Sequence, residues 1–262
     1  MAIQLSSATA DDPAVVQHLL QLAAEARERN SGRVKFVDTP AANALLNDLR
    51  NHPHAFVLAC LMNRQVKAER AWLVPFEIQR QERLGSFEIG DLARLKEVDV
   101  LRYLERPTSL HWLTKRMART FHAGVQRIVS EFGGDASRIW ADAPPSARIV
   151  RCFLEFEGAG PKIATMAANL LVSLLGVSVS DRYSIDISPD RHVRRVFSKL
   201  GFVPEDADND LIVYRARELS PEYPGAFDLL LWEVGRTTCG PKKTLCSGCQ
   251  LSELCRSSNS RG

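Results

Sequence analysis

The most informative segment of this 262-residue chain is CGPKKTLCSGCQLSELC, residues 239–255. Its four cysteines, Cys239, Cys246, Cys249 and Cys255, have the spacing C-x6-C-x2-C-x5-C. Four thiolates this close in sequence can surround a tetrahedral Zn²⁺ ion or hold a [4Fe–4S] cluster. Disulfides are the alternative, but cysteines of a chain that is not exported more often bind metal or do chemistry. The spacing therefore predicts a metal site and leaves the metal open.

A second informative segment is LEFEGAGPKIA, residues 154–164. Gly158 and Gly160 flank one small residue, and glycine lets another molecule approach the backbone closely. Pro161 suits the first turn of a following helix. Free amides at such a helix start bind phosphate, although an ordinary interhelical turn explains a lone GxG equally well. Two further signals accompany this turn: Lys162, and the segment PDRHVRRV that begins at Pro189.

Helical patterns fill most of the remaining chain, without a sustained alternation typical of strands and without an internal repeat. The predicted helices cover Asp11–Arg29, Ala41–Asn51, His54–Val74, Ile89–Arg94, Asp99–Leu104, Lys115–Glu131, Pro145–Leu154 and Ala226–Val234. The acidic stretch from Glu205 to Asp210 is interpreted as a turn or loop. The predicted fold class is all-α.

Composition sets only broad limits on function. The chain is 45% hydrophobic and 25% charged with a net charge of +3, which is ordinary for a soluble protein and does not by itself require a nucleic-acid partner. The longest apolar stretch, Ile163–Val179, is interrupted by polar residues, so it predicts a buried helix and no membrane span. The N-terminal sequence has no basic start followed by an apolar core, so we expect no signal peptide and a cytoplasmic location.

Together, these motifs resemble the endonuclease III branch of the helix-hairpin-helix DNA glycosylases. The glycine turn with its lysine, a D-x-H-x-x-R-V segment from Asp190 and the cysteine loop occur in that family's order. The stretch LLWEVGRTTC, which ends at Cys239, is also similar to the family's approach to its cluster. The resemblance covers roughly residues 54–256. It implies a [4Fe–4S] cluster, rather than zinc, on the four cysteines.

The family fold implies two helical lobes with a cleft between them. One would be a helical barrel domain at residues 41–181 that contains the hairpin. The other would be a cluster domain built from residues 1–40 and 182–262. By the same resemblance, Lys162 matches the catalytic nucleophile and Asp190 the catalytic aspartate.

The two catalytic assignments have structural alternatives. Asp190 follows Ser188-Pro189 and would also serve as a helix N-cap. A lysine amine attacks only in its neutral form, and lowering a pKa near 10.4 to 7–8 requires about 4 kcal/mol. The end of a helix supplies only about 0.3–1 kcal/mol, so the nucleophile assignment requires a partly desolvated Lys162. An exposed lysine would instead serve mainly as a phosphate contact.

The resemblance also implies further DNA contacts, but these residues match the family pattern less specifically than Lys162 and Asp190 do. Gln65 in the polar motif Asn63-Arg64-Gln65 would fill the gap left by an extruded base, or it is an ordinary surface residue of a helix. The hairpin and nearby basic residues would contact phosphates: Gly158, Ala159, Gly160, Arg191, Arg194, Lys242 and Lys243. A solvated helix face is the default interpretation for any one of these cations. The hairpin departs from the family pattern at Glu157, which adds a negative charge beside the expected phosphate site.

The resemblance implies base excision repair of damaged DNA by a nucleoid-associated monomer with no membrane contact. The expected activity is hydrolysis of an N-glycosidic bond, with AP lyase activity through a lysine Schiff base, on oxidised pyrimidines. Two alternatives stay open. One is a protein that binds damaged DNA without cutting it, and the other is a monofunctional glycosylase for another modified base, in which Asp190 works and Lys162 is idle.

Overall fold

A computed structural model describes residues 12–82, 87–105, 109–242 and 244–255 of the chain. Within these ranges all regular secondary structure is helical, apart from an isolated antiparallel bridge between Cys239 and Thr244. The predicted all-α class is confirmed. Among the same residues, no helix combines the length and the apolar character that crossing a membrane requires.

Twelve α-helices lie in the described ranges: α1 Pro13–Asn30, α2 Pro40–Asn47, α3 Pro53–Leu61, α4 Ala68–Glu82, α5 Ile89–Leu92, α6 Glu97–Glu105, α7 Thr114–Phe132, α8 Ser146–Leu154, α9 Pro161–Ser173, α10 Arg191–Lys199, α11 Asn209–Leu219 and α12 Asp228–Thr237. Short 3₁₀ helices cover Ala136–Ile139, Pro224–Phe227 and Cys246–Gly248. Proline begins α1, α2, α3 and α9, where its missing N–H would in any case have no partner within the helix.

The helices form two compact units. The central unit is Ser31–Ser180, and the terminal unit combines the residues up to Asn30 with those from Asp181 onward. The predicted domain bounds, residues 41–181 for one domain and residues 1–40 with 182–262 for the other, stay a prediction.

The core of the central unit is built around α3. Every residue of this helix, Pro53–Leu61, is buried. A helix that is apolar on all sides belongs inside a protein, and α2, α4, α7 and α9 pack around it. Gly124 of α7 makes this packing close, because a Cβ there would lie 2.9 Å from Leu61 Cδ1. Cys60 and Cys152 are both buried, and burial raises the pKa of each thiol, as suits small apolar residues.

The core of the terminal unit joins helices from both ends of the chain. Leu19 and Ala23 of α1 share one cluster of buried side chains with Phe197 of α10 and Leu231 of α12. Gly235 of α12 lies directly against α10, because a Cβ there would be 2.7 Å from His192 Cβ and 2.9 Å from the His192 carbonyl oxygen. The cysteine loop begins just after this contact.

One helix prediction was wrong, and one loop prediction was wrong in part. The helix predicted over His54–Val74 is two helices, α3 and α4, separated by a loop in which Gln65 has a left-handed φ of +53°. The stretch Glu205–Asp210 is only partly a loop, since Asp208 caps α11 by accepting a hydrogen bond from Leu211 N at 2.7 Å.

Candidate functional site

The glycine turn enters α9 in the way that its sequence predicts. Gly158 has a φ of +87°, a conformation that side chains disfavour, and an added Cβ would lie 2.8 Å from Thr120 Oγ1. Gly160 is the N-cap of α9 with extended backbone, and nothing lies within 4 Å of a Cβ built there. Ala159 between them is half-buried and donates its N–H to the Phe156 carbonyl at 3.0 Å. The space beside Gly160 is therefore open, at the helix start where the first amides of α9 have no partner within the helix.

Lys162 is the second residue of α9, immediately behind this turn, and its side chain is exposed. The free protein therefore does not provide the desolvation that a nucleophilic lysine requires. In this state the ammonium group and the first-turn amides present positive charge to solvent at one place. That arrangement is suited to binding an anion such as a phosphate.

The acidic residue of the hairpin has a partner. Arg119 of α7 contacts Glu157, with 2.6 Å between Nε and Oε1. Both side chains are largely exposed, at 67% and 44%. The negative charge at the mouth of the glycine turn is therefore balanced by a cation from another helix, and the departure from the family pattern at Glu157 is compensated.

The loop between α3 and α4 is held in place by two hydrogen bonds. Arg64 donates from Nη1 to the Gly158 carbonyl at 3.1 Å, and Trp112 donates from Nε1 to the Gln65 carbonyl at 2.7 Å. The Gln65 side chain is exposed at the tip of this loop, and Trp112 is 63% exposed. The structure thus brings Gln65 and the glycine turn into one connected surface of the central unit.

His111 is a buried residue next to the loop that carries Gln65. Its imidazole is fully buried, and Nδ1 accepts a hydrogen bond from Leu113 N at 3.0 Å. Burial lowers the pKa of His111, and the nearby backbone carbonyls of Arg64 and Met62 oppose that shift. A neutral ring at this position is consistent with a structural role beneath the Gln65 loop.

Asp190 is the N-cap of α10, in the terminal unit. Its Oδ1 accepts hydrogen bonds from His192 N at 2.7 Å and from Val193 N at 2.8 Å. Its other carboxylate oxygen, Oδ2, accepts no hydrogen bond from the described residues. The residue is half-buried, and the two N–H groups at the start of the helix fix one of its carboxylate oxygens. The cap predicted as an alternative role for Asp190 is thus present.

The basic residues of α10 divide into different roles. Arg191 is exposed, and its Nε lies 3.2 Å from His192 Nε2. Arg194 donates to Asn209 Oδ1 at 2.5 Å. Arg195 points the other way and donates to the carbonyls of Cys239 and Gly235, at 2.7 and 2.5 Å. Sequence reasoning did not find this structural role of Arg195, because the two partners are 40 and 44 positions away.

The four cysteines are free thiols of the terminal unit. Cys239, Cys249 and Cys255 pack against its apolar core, and Cys255 donates from Sγ to the Lys199 carbonyl at 3.6 Å. Burial raises the pKa of Cys249, and the charges of the three other thiols raise it further. The four sulfurs are therefore close enough to act on one another electrostatically.

These thiols do not converge on a single point. Among the described residues, no three His, Cys, Asp or Glu side chains are arranged to hold one metal ion. A cubane cluster places a separate iron at each thiolate, so neighbouring thiolates that do not share one centre still form a chemically suitable donor set. Lys242 beside Gly240-Pro241 is exposed, whereas Lys243 lies outside the described residues.

Sequence comparison supports the resemblance. No family model matches the chain. It is 25% identical to adenine DNA glycosylase of Mus musculus over 143 residues, 53% of this chain and 24% of the mouse protein. The chain thus spans about a quarter of that relative's length. It is also 25% identical to endonuclease III of Synechocystis over 211 residues, which cover 78% of this chain and 81% of that protein.

Solved structures give the same result for the fold. A thermostable thymine-DNA glycosylase matches with a TM-score of 0.64 at 14% identity, over 94% of this chain and 98% of that one. Endonuclease III trapped as a covalent intermediate with DNA matches with a TM-score of 0.61 at 17% identity, over 95% and 98%. The chain therefore has the all-α fold of the endonuclease III-type helix-hairpin-helix proteins, and the resemblance found in its motifs is confirmed.

Proposed function

We propose that this protein is a DNA glycosylase of the endonuclease III type that removes a damaged base and then cleaves the abasic strand. The observation that carries the proposal is the position of Lys162, the second residue of α9, directly behind an open glycine turn. The sequence similarity to adenine DNA glycosylase and endonuclease III supports it. Oxidised pyrimidines are the proposed substrate class.

Access to the damaged base requires that its nucleotide rotate out of the duplex, at a cost of a few kcal/mol. Phosphate contacts offset this cost without reading the sequence. The amides at the start of α9 and the basic residues of α10 are suited to that purpose. Gln65, exposed on a loop that Arg64 and Trp112 hold, is suited to occupy the space that the base leaves.

The proposed chemistry uses two side chains. As the bond between C1′ and the base breaks, the base leaves with the electron pair and positive charge develops on the sugar. The unengaged Oδ2 of Asp190 would stabilise that charge. The neutral Lys162 amine would bond to C1′, and opening of the sugar ring would give a Schiff base. Loss of a C2′ proton then breaks the C3′–O bond, which releases the 3′ phosphate and nicks the strand.

The exposure of Lys162 sets a condition on this mechanism. A lysine in water is protonated at neutral pH and does not attack. In this proposal, bound DNA covers Lys162 and excludes water, so the amine loses its proton only in the complex. Reactivity would thereby be restricted to DNA that is seated on the hairpin.

The four cysteines of the loop would hold a [4Fe–4S] cluster with a structural role. Such a cluster has all four irons bound by cysteine, which leaves no open position for substrate. Its contribution would be to fold the loop beside α10 and to present Lys242 to the DNA. Protein prepared without oxygen should contain about four irons per chain, and a single zinc ion in their place would exclude the cluster.

Borohydride trapping on DNA with an abasic site tests the lyase. The wild type should form a covalent adduct, Lys162→Ala should form none, and Lys96→Ala should behave as the wild type, since Lys96 is an exposed lysine on a different part of the central unit. The damaged base is identified by base release from duplexes that each carry one lesion. Tight DNA binding with neither adduct nor base release would leave a non-cleaving DNA-damage-binding protein.

A monofunctional glycosylase is the second candidate. The exposure of Lys162 and the similarity to adenine DNA glycosylase favour it. Base release that survives Lys162→Ala but not Asp190→Asn, without any trapped adduct, would select this alternative. A duplex from which adenine can be released is the first to include in that experiment, because the chain is similar to adenine DNA glycosylase.

A further inference from the structure

One exposed face of α7 carries three cations at helical spacing. Lys115, Arg116 and Arg119 are all exposed, and residues three or four positions apart lie on the same side of a helix. The apolar residues of the same helix, which include Met117 and Phe121, are buried on the other side. The three cations therefore form a short stripe that faces solvent, called here the α7 stripe.

In the part of the chain that the structure describes, one cation of the α7 stripe forms an ion pair and the other two do not. Among the described residues, neither Lys115 nor Arg116 contacts a carboxylate. Arg119 contacts Glu157, but both groups are largely exposed, and exposed ion pairs contribute only about 0–1 kcal/mol. All three cations can therefore exchange their present surroundings for phosphate at little cost.

The α7 stripe lies between two elements of the central unit, the Gln65 loop and the hairpin. Trp112, which precedes the stripe in sequence, donates a hydrogen bond to the carbonyl of Gln65. Arg119, the last residue of the stripe, contacts Glu157, which precedes the glycine turn. The stripe thus runs from the loop that carries Gln65 to the hairpin that carries Lys162. These are the two elements of the central unit that the proposed function assigns to DNA.

We infer that the α7 stripe binds the phosphates of one DNA strand between the Gln65 loop and the hairpin. The inference rests on the proposed function and adds a binding surface to it. The charge complementarity of three unopposed or weakly opposed cations selects a polyanion as the occupant, and the continuity with both elements selects DNA. Trp112, 63% exposed beside the stripe, offers a flat apolar surface to a base from the same strand.

The carboxylate of Glu157 is expected to weaken phosphate binding at the α7 stripe. In the free protein it engages Arg119 and places a negative charge where a phosphate would approach. Binding of DNA replaces that carboxylate with a phosphate as the partner of Arg119. Removal of the carboxylate is therefore expected to strengthen DNA binding, and removal of Arg119 is expected to weaken it.

The salt dependence of DNA binding tests the inference. Binding is measured on a duplex that contains a stable abasic-site analogue, from low to high salt, for the wild type and for Lys115→Gln/Arg116→Gln. Each lost phosphate contact lowers the slope of log K against log salt by about 0.9, so the double variant should lower it by about 2. A fall in affinity of about tenfold or more is expected at low salt. Glu157→Gln should bind a few-fold more tightly.

The matched control is Lys96→Gln/Arg102→Gln, which removes the same charge from two other exposed positions, one just before α6 and one within it. It should keep the wild-type slope, and the thermal unfolding of each variant reports whether the fold is retained. Equal slopes for the stripe variant and the control would overturn the inference while wild-type binding and trapping leave the proposed function intact. A wild type that does not bind the duplex at any salt concentration would overturn both.

Discussion

Arg64 donates a hydrogen bond from Nη1 to the carbonyl oxygen of Gly158, at 3.1 Å. The two residues are 94 positions apart. The bond attaches the loop between α3 and α4 to the turn in front of α9. Gln65 and Lys162, which have separate proposed roles toward the DNA strands, are therefore carried by one hydrogen-bonded surface, and a change in one element is expected to affect the other.

Arg64→Ala should weaken this connection. Loss of a hydrogen bond from a charged donor typically removes about 1.5–3 kcal/mol, and half-exposure of Arg64 places the expected loss of stability at the lower end. Base release should fall more than stability does, because the Gln65 loop is no longer held against the turn. Arg148→Ala is the control, since Arg148 also donates to a carbonyl, that of Arg138 at 3.2 Å, but is exposed. Equal activity of the two variants would contradict a positioning role for Arg64.

The two glycines of the hairpin should respond differently to alanine. Gly158→Ala places a Cβ 2.8 Å from Thr120 Oγ1 at a φ of +87°, so it should destabilise the protein by about 1–3 kcal/mol in urea unfolding. Gly160→Ala meets no atom within 4 Å and should leave the free energy of unfolding nearly unchanged. It should nonetheless weaken DNA binding, because the added methyl group fills part of the open space beside the start of α9, where the proposed phosphate binds. If Gly160→Ala bound DNA as tightly as the wild type, the phosphate would not bind at this turn.

Local sequence signals predicted the elements that depend on local physics. Proline at the start of α9 and the carboxylate of Asp190 at the start of α10 are cap signals, and both act where the sequence indicated. The break between α3 and α4 was missed because apolar residues continue at helical spacing across it. The chain turns there through a left-handed Gln65, and neither glycine nor proline marks the position.

Contacts between distant segments were beyond sequence reasoning. The pairing of Glu157 with Arg119 leaves no local signature, so the sequence showed only an unexplained negative charge beside the turn. Arg195 belonged to an undivided run of basic residues. The structure separates it from Arg191 and Arg194, because its guanidinium faces the backbone carbonyls of Gly235 and Cys239.

Gly235→Ala should be one of the more damaging single changes in the terminal unit. The added Cβ would lie 2.7 Å from His192 Cβ and 2.9 Å from the His192 carbonyl oxygen, and backbone cannot move aside as a flexible side chain does. Overpacking of this kind costs about 1–3 kcal/mol. Urea unfolding measures the effect, with Gly90→Ala as the control, because nothing lies within 4 Å of a Cβ at that position. If Gly235→Ala and Gly90→Ala unfolded at the same urea concentration, α10 and α12 would be able to move apart at little cost in free energy.

Two substitutions at Asp190 separate its cap from its proposed catalytic role. Asparagine keeps an oxygen that can accept from His192 N and Val193 N, whereas alanine has none. Asp190→Ala should therefore lose about 0.5–2 kcal/mol of stability and Asp190→Asn much less. Both should reduce base release by about 100-fold or more, because neither retains the negative charge. Wild-type base release by Asp190→Asn would leave this residue with the cap alone.

His54 should make the stability of the central unit dependent on pH. Its Nε2 donates to the Phe87 carbonyl at 2.5 Å, its ring stacks on Phe87, and burial lowers its pKa below the usual value near 6.5. The ionisable groups that act on it are His52, Glu88 and Asp135. Below pH 6.5 the unfolded chain takes up the proton before the folded one does, so the contribution of His54 to stability is complete above that pH and is lost as the pH falls toward the lowered value. Urea unfolding at pH 7.5 and 5.5 measures it: the wild type should lose more stability between the two than His54→Gln, which keeps an N–H donor but does not titrate. Parallel losses in the two proteins would show that His54 does not carry the pH dependence.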